Sequence, residues 1–132
     1  MADRRAFLAA AAATLFAPAA FAQAPGARVV PYSDAAFAAA QAAGRPILVA
    51  VEASWCPTCR AQKPILGALL ARPAFADMVA LSVDFDSQKD AVRKLDARMQ
   101  STLVVFRGTA ERGRSVGDTN AASIEALLAK AA

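Results

Sequence analysis

Cys56 and Cys59 are the only cysteines in a chain of 132 residues, and two positions, Pro57 and Thr58, separate them. Thiols at that spacing can close into a disulfide and reopen, or hold a soft ion such as Cu(I) between two thiolates. A purely structural bridge accounts for them less well. Closing so small a loop removes little chain entropy and would stabilise the fold weakly. The chain has no histidine. That excludes a Cys–His nucleophile and leaves zinc only carboxylates to add to two sulfurs, a poor donor set, so no metal is expected. The net charge of +4 is spread without a basic run or interleaved aromatic residues, which argues against a nucleic-acid partner.

Such a pair needs an element to hold it. Ile47-Leu48-Val49-Ala50-Val51 is a continuous apolar run of strand length, as expected for a strand covered on both faces. Trp55-Cys56-Pro57-Thr58-Cys59 follows, and Pro57 suits the first position of a helix, where its missing N–H would have had no partner. Cys56 then becomes the helix cap, its sulfur near the amides of Thr58 and Cys59. Free N–H groups and the helix dipole stabilise negative charge, so a thiol at a helix start ionises more readily than one in a loose peptide. Cys59, one turn inside, lies close enough to attack a mixed disulfide formed on Cys56. The helix is predicted to run to about Ala71, with Pro64 kinking it and Ile65, Leu66, Leu69 and Leu70 as its apolar patch.

The remaining elements read in order. Arg28-Val29-Val30 forms a short strand, and Ser33-Asp34 opens a helix that ends at Gly44. Met78 to Val83 is a strand, and Ser87 with Asp90 caps a helix that faces Val92 and Leu95 inward. Thr102 to Phe106 pairs with Arg112 to Val116 across a turn containing Gly108. Asp118 to Asn120 cap a last helix bearing Ile124, Leu127 and Leu128. This alternation predicts an α/β fold, a mixed central sheet of four to five strands with helices on both faces.

The chain resembles the thioredoxin family from about Val29 to its C-terminus. The resemblance rests on Trp55-Cys56-Pro57-Thr58-Cys59, Pro64-Ile65-Leu66, Val83-Asp84, Thr102 to Phe106, and Val116-Gly117. It implies a thioredoxin-like fold, with Cys56 as the exposed attacking thiol and Cys59 as the buried resolving one. Pro57 and Thr58 would tune the redox potential, while Trp55, Ser101 and Thr102 would line the substrate groove. Three positions depart from the family pattern. Ser101 stands where the family usually has a cis-proline; a non-proline cis bond costs about 2.5–4 kcal/mol, so a trans backbone and an altered groove are expected. Ala50 replaces a buried aspartate that takes the proton of the resolving thiol, and Ala80 replaces the lysine often paired with it. Losing both together avoids an unpaired buried charge. Glu52, two positions after Ala50 and on the same strand face, is the candidate for proton transfer in their place.

Residues 1–22 read as an export signal. Arg4-Arg5 precede an alanine-rich apolar stretch, and Ala20-Phe21-Ala22 supplies a small-x-small cleavage pattern, with cleavage after Ala24 as the near alternative. Arg4-Arg5-Ala6-Phe7-Leu8 resembles the twin-arginine signal of bacteria. The apolar part is short and broken by Pro18, so no stable membrane span is expected once the signal is removed. Residues 23–132 form the thioredoxin-like domain. The function expected is therefore a periplasmic thiol–disulfide oxidoreductase acting on protein thiols and disulfides, biased towards reduction. It would need no cofactor beyond its own cysteine pair, and would draw electrons from a membrane-bound donor. A Cu(I)-binding module and a non-catalytic interaction protein are the competing classes.

Overall fold

The computed structural model describes residues 27–132, so the predicted signal peptide over residues 1–22 lies outside the described residues. Five strands, β1 (Val29–Pro31), β2 (Pro46–Glu52), β3 (Val79–Asp84), β4 (Thr102–Arg107) and β5 (Ala110–Val116), alternate with four helices. These are α1 (Asp34–Ala42), α2 (Pro57–Leu70), α3 (Lys89–Lys94) and α4 (Ala121–Ala129), with one 3₁₀ turn at Pro73–Phe75. The strands form one mixed sheet in the order β1-β3-β2-β4-β5. β3 runs parallel to both β1 and β2, whereas β4 is antiparallel to β2 and β5. β2 is thus the central strand, and its end delivers the chain to the cysteine motif.

Side chains alternate across β2 with the period of a strand and build a core on each side. Ile47, Val49 and Val51 pack with Phe37 of α1, Val92 of α3, and Leu95. The ring of Phe37 sits edge-on to Phe106 at 5.2 Å and tilted against Tyr32 at 5.6 Å. Leu48 and Ala50 face the other way, against Leu66, Leu69 and Leu70 of α2 and Ile124, Leu127 and Leu128 of α4. Helices therefore cover both faces, as the alternation of elements predicts.

Local signals set most boundaries. The hydroxyl of Ser33 accepts from the Ala36 amide at 3.1 Å and starts α1, and the Asn120 side chain does the same for α4 through Ser123. α2 continues through Pro64 as one helix. Two expectations need correcting. Ser87 does not cap α3: its amide, with that of Asp86, donates to the Asp84 carboxylate, and Gln88 holds the cap position without a side-chain bond. An Asx-type turn on Asp84 has satisfied those donors first. The hairpin partner of β4 begins at Ala110 rather than Arg112, because only Gly108 and Thr109 separate the paired residues Arg107 and Ala110. Gly108 has φ +58°, and a β-carbon there would meet the Gly44 backbone at 3.3 Å, so the tight turn requires glycine. β1 and β5 form the two edges of the sheet.

Candidate active site

The chain leaves β2 at Glu52, turns through Ala53 to Cys56, where the Cys56 amide donates to the Ala53 carbonyl at 3.2 Å, and enters α2. Cys56 is the cap residue in extended conformation, and Pro57 is the first helical residue. The sulfur of Cys56 accepts from the Cys59 amide at 3.1 Å. Of the two amides expected near that sulfur, Cys59's is the one that bonds to it. Pro57 is exposed and Thr58 half-buried at the helix start.

Both thiols are free, and both are buried: Cys56 is 1% exposed and Cys59 2%. The expected contrast between an exposed and a buried cysteine is therefore corrected. Capping is the reason. A side chain that reaches back to the amide three residues on is turned towards the helix axis, and here it packs with Ala53, Cys59 and Phe85. Trp55 takes the outward place instead. It is 54% exposed, and its indole N–H donates to Asp86 Oδ2 at 2.8 Å.

The two sulfurs are not equivalent. Burial first, and then a side-chain hydrogen bond with Cys56, push the Cys59 thiol up from its ordinary value. The backbone of Ala53 and of Ser101 works against that rise. Ser101 thus belongs to the immediate surroundings of Cys59, as its place in the sequence resemblance implies. Its backbone is the expected trans form, since no cis peptide bond occurs among the described residues, and its φ is +57°. Ser101 and Thr102 are both buried, at 5% and 1% exposure. The Thr102 hydroxyl donates to the Met99 carbonyl at 2.7 Å, so Thr102 contributes backbone and methyl rather than a free hydroxyl. It lines a cavity of about 240 Å³ with Met99 and Val116, both more than half exposed.

Glu52 borders this cluster through its backbone: its carbonyl accepts at 2.8 Å from the amide of Phe85, which packs on the cysteines. Its carboxylate meets Lys63 Nζ at 4.0 Å, and among the described residues no hydrogen bond links it to either cysteine. Lys63 stands one helical turn beyond Cys59 on α2. Glu52, Lys63, Ala50 and Gly67 share the wall of a cavity of about 460 Å³ between α2 and the sheet. Ala50 thus contributes no carboxylate to that space, and Glu52 is the acidic residue in its wall. Among the described residues no group of three or more His, Cys, Asp or Glu side chains is placed to hold a metal ion. No helix of the described residues is long and apolar enough to cross a membrane.

Three residues at the site escape a reading of the sequence. Asp86 orients Trp55, and Met99 adds apolar surface beside Thr102. Gln62, only 3% exposed, donates from its side-chain amide to the carbonyls of Ser101 and Asp118 at 3.3 and 2.9 Å. A signal existed for Gln62 alone: it is a polar residue on the helix stripe that otherwise buries Cys59, Leu66, Leu69 and Leu70.

Comparisons agree with this geometry. A family model described as Thioredoxin matches residues 28–130. Thioredoxin H2-1 of Oryza sativa subsp. japonica is 32% identical over 71 residues, which cover 54% of this chain and 50% of that protein. The chain therefore spans about half the length of that relative. The thioredoxin of Oryctolagus cuniculus is 30% identical over 83 residues, covering 63% of this chain and 73% of that protein. The crystal structure of Trxlp from Edwardsiella tarda EIB202 superposes with a TM-score of 0.75 at 44% identity, over 76% of this chain and 98% of that one.

Proposed function

The chain belongs to the thioredoxin family, and on that premise we propose that it is a thiol–disulfide oxidoreductase acting on protein disulfides, working as a reductant in a bacterial periplasm. In the reducing direction the Cys56 thiolate attacks one sulfur of a substrate disulfide. An S–S bond forms to Cys56, and the other substrate sulfur leaves as a thiolate. Cys59 gives up its proton, attacks the Cys56 sulfur, and expels the second substrate thiolate. Two electrons have passed to the substrate, and Cys56 and Cys59 end as a disulfide. A periplasm is held oxidising, so the pair must be reduced again by a dithiol partner, for which a membrane-bound donor is the natural source. The address rests on residues 1–22 and their cleavage pattern.

One observation carries the reading: two free thiols at the head of a helix, with the Cys59 amide 3.1 Å from the Cys56 sulfur. The raised Cys59 thiol fits the resolving role, because it stays protonated until a mixed disulfide forms on its neighbour. Pro57 and Thr58 set the geometry of that helix start and tune the potential. The exposed indole of Trp55, with Ser101 and Thr102, offers the surface on which a substrate lies. Glu52 is the candidate acceptor of the Cys59 proton, supported by its position at a cavity large enough for water along the same helix. Reduction of insulin by dithiothreitol tests the activity: the chain accelerates precipitation, and Cys56→Ser abolishes the acceleration. An equal rate with and without Cys56 would overturn it. Fractionation of the producing cell tests the address, where recovery in the cytosol with residues 1–22 intact would refute it.

A further inference from the structure

Gln62 is a buried amide on the same helix as the cysteines, three residues after Cys59 and on the same inward stripe. The Ser101 carbonyl that it binds also accepts from the Gly117 amide at 3.0 Å, and the second carbonyl that it binds, Asp118, follows Gly117 directly. One side chain therefore ties the turn of helix carrying Cys59 to the loop before β4 and to the loop after β5. A single helical turn is a short, stiff spacer, so Cys59 and the loop holding Ser101 keep a fixed separation.

Ser101 needs such a hold. A residue with a β-carbon at φ +57° is strained and persists only where its surroundings over-determine it. This backbone also supplies what a proline could not. Proline is confined near φ −65° and has no N–H, whereas Ser101 keeps its amide hydrogen.

We propose that Gln62 is a positioning residue for Cys59: by fixing the Ser101 carbonyl from one helical turn beyond Cys59, it holds the strained Ser101 backbone in place beside that turn, where the backbone supports the resolving thiolate as it forms. The proposal rests on the exchange reading above, in which Cys59 must ionise inside the protein to attack the Cys56 sulfur. Burial opposes that ionisation, and the backbone of Ser101 acts in the opposite direction. Among the described residues the titratable group acting on Cys59 is Cys56. Of the charges nearest in sequence on α2, Lys63 is engaged with Glu52 and Arg60 is exposed. The side-chain amide of Gln62 bonds to the Ser101 and Asp118 carbonyls and to neither sulfur, so its influence runs through the loop.

The test follows the iodoacetamide labelling rate of Cys59 against pH in Cys56→Ser protein, with Gln62 intact and as Gln62→Met. Methionine keeps the length and removes both donors. A hydrogen bond to a charged group is worth enough to move the labelling midpoint by about one pH unit. Gln62→Met is therefore expected to raise that midpoint by about one unit, and to slow labelling at pH 8 about tenfold. Labelling of Cys56, read in Cys59→Ser protein, keeps its midpoint in Gln62→Met. An unmoved Cys59 midpoint in folded protein, or equal movement at both cysteines, overturns the proposal. Should Gln62→Met fail to fold, the Ser101 amide resonance decides in Cys56→Ser protein with Gln62 intact. It must shift together with the Cys59 titration, and an indifferent resonance overturns the proposal. Insulin reduction by the unsubstituted chain is scored separately, so loss of the exchange reading and loss of the Gln62 role are told apart.

Discussion

The backbone amide of Cys59 lies 3.1 Å from the sulfur of Cys56, so the first cysteine of the pair caps the helix through the second before any bond joins their sulfurs. This one contact separates the two roles: the Cys56 sulfur receives the amide at the helix head, while burial pushes the Cys59 thiol up and keeps its proton on. Cys59→Ser is therefore expected to stop turnover after a single attack. It should accumulate a mixed disulfide of Cys56 with its substrate, visible as an added mass that dithiothreitol removes. Cys56→Ser should show neither turnover nor adduct.

Trp55 is the only tryptophan, and Asp86 fixes its indole at 2.8 Å. Asp86→Ala frees a side chain that is 54% exposed, and exposed hydrogen bonds contribute little to stability. The expected result is a substrate KM raised about threefold to tenfold, for a loss of about 0.7–1.4 kcal/mol of binding, with kcat nearly unchanged. Steady-state kinetics on a protein disulfide, followed with Trp55 fluorescence anisotropy, check both halves of this statement.

Tyr32 sits in the core with its hydroxyl donating to Asp34 at 2.9 Å, and burial, then Asp34, push its pKa up to about 12. Above pH 10 the unfolded chain loses this proton while the folded chain keeps it, so the unfolded state binds fewer protons and stability falls as pH rises. The loss is confined to the window from pH 10 to about 12. Tyr32→Phe should flatten that part of the stability profile in urea unfolding and leave the profile near pH 7 with the same slope.

Gly67 lies inside α2, and a β-carbon built there meets nothing within 4 Å. Gly67→Ala should therefore stabilise the fold by about 0.5–1 kcal/mol through helix propensity and lower unfolded-state entropy. A rise in Tm with unchanged insulin reduction is the expected outcome, and a fall in Tm would show that the cavity wall needs glycine.

If Glu52 receives the Cys59 proton, Glu52→Gln lowers turnover about tenfold and flattens its pH dependence. Lys63→Met breaks the same ion pair but keeps the carboxylate, and should leave the pH dependence in place. The exposed pair itself contributes little to stability, so both variants are expected to fold normally. An unchanged profile in Glu52→Gln removes Glu52 from the mechanism.

Much of the fold is legible in the sequence because its signals are local. The apolar run from Ile47 to Val51, the caps Ser33 and Asn120, and Pro57 at the helix start each carry their meaning within a few residues. The site is less legible where it depends on chain segments that meet only after folding. Burial of Cys56 follows from the direction its sulfur takes as a cap, which spacing cannot convey. Gln62 acts on Ser101 across 39 positions and on Asp118 across 56, so only its misfit on an apolar stripe hints at a role. Asp84 took the amide of Ser87 by a turn that competes with the helix cap, and a three-residue spacing cannot tell the two apart.

The two outer strands have a further consequence. β1 offers three residues and ends in Pro31, which has no hydrogen to give, while β5 displays Glu111, Arg112 and Arg114 along its rim. Neither margin is a good template for another chain to add a strand. In the proposed role, acting on cysteines of other polypeptides, the chain would thereby be kept from joining their aggregates.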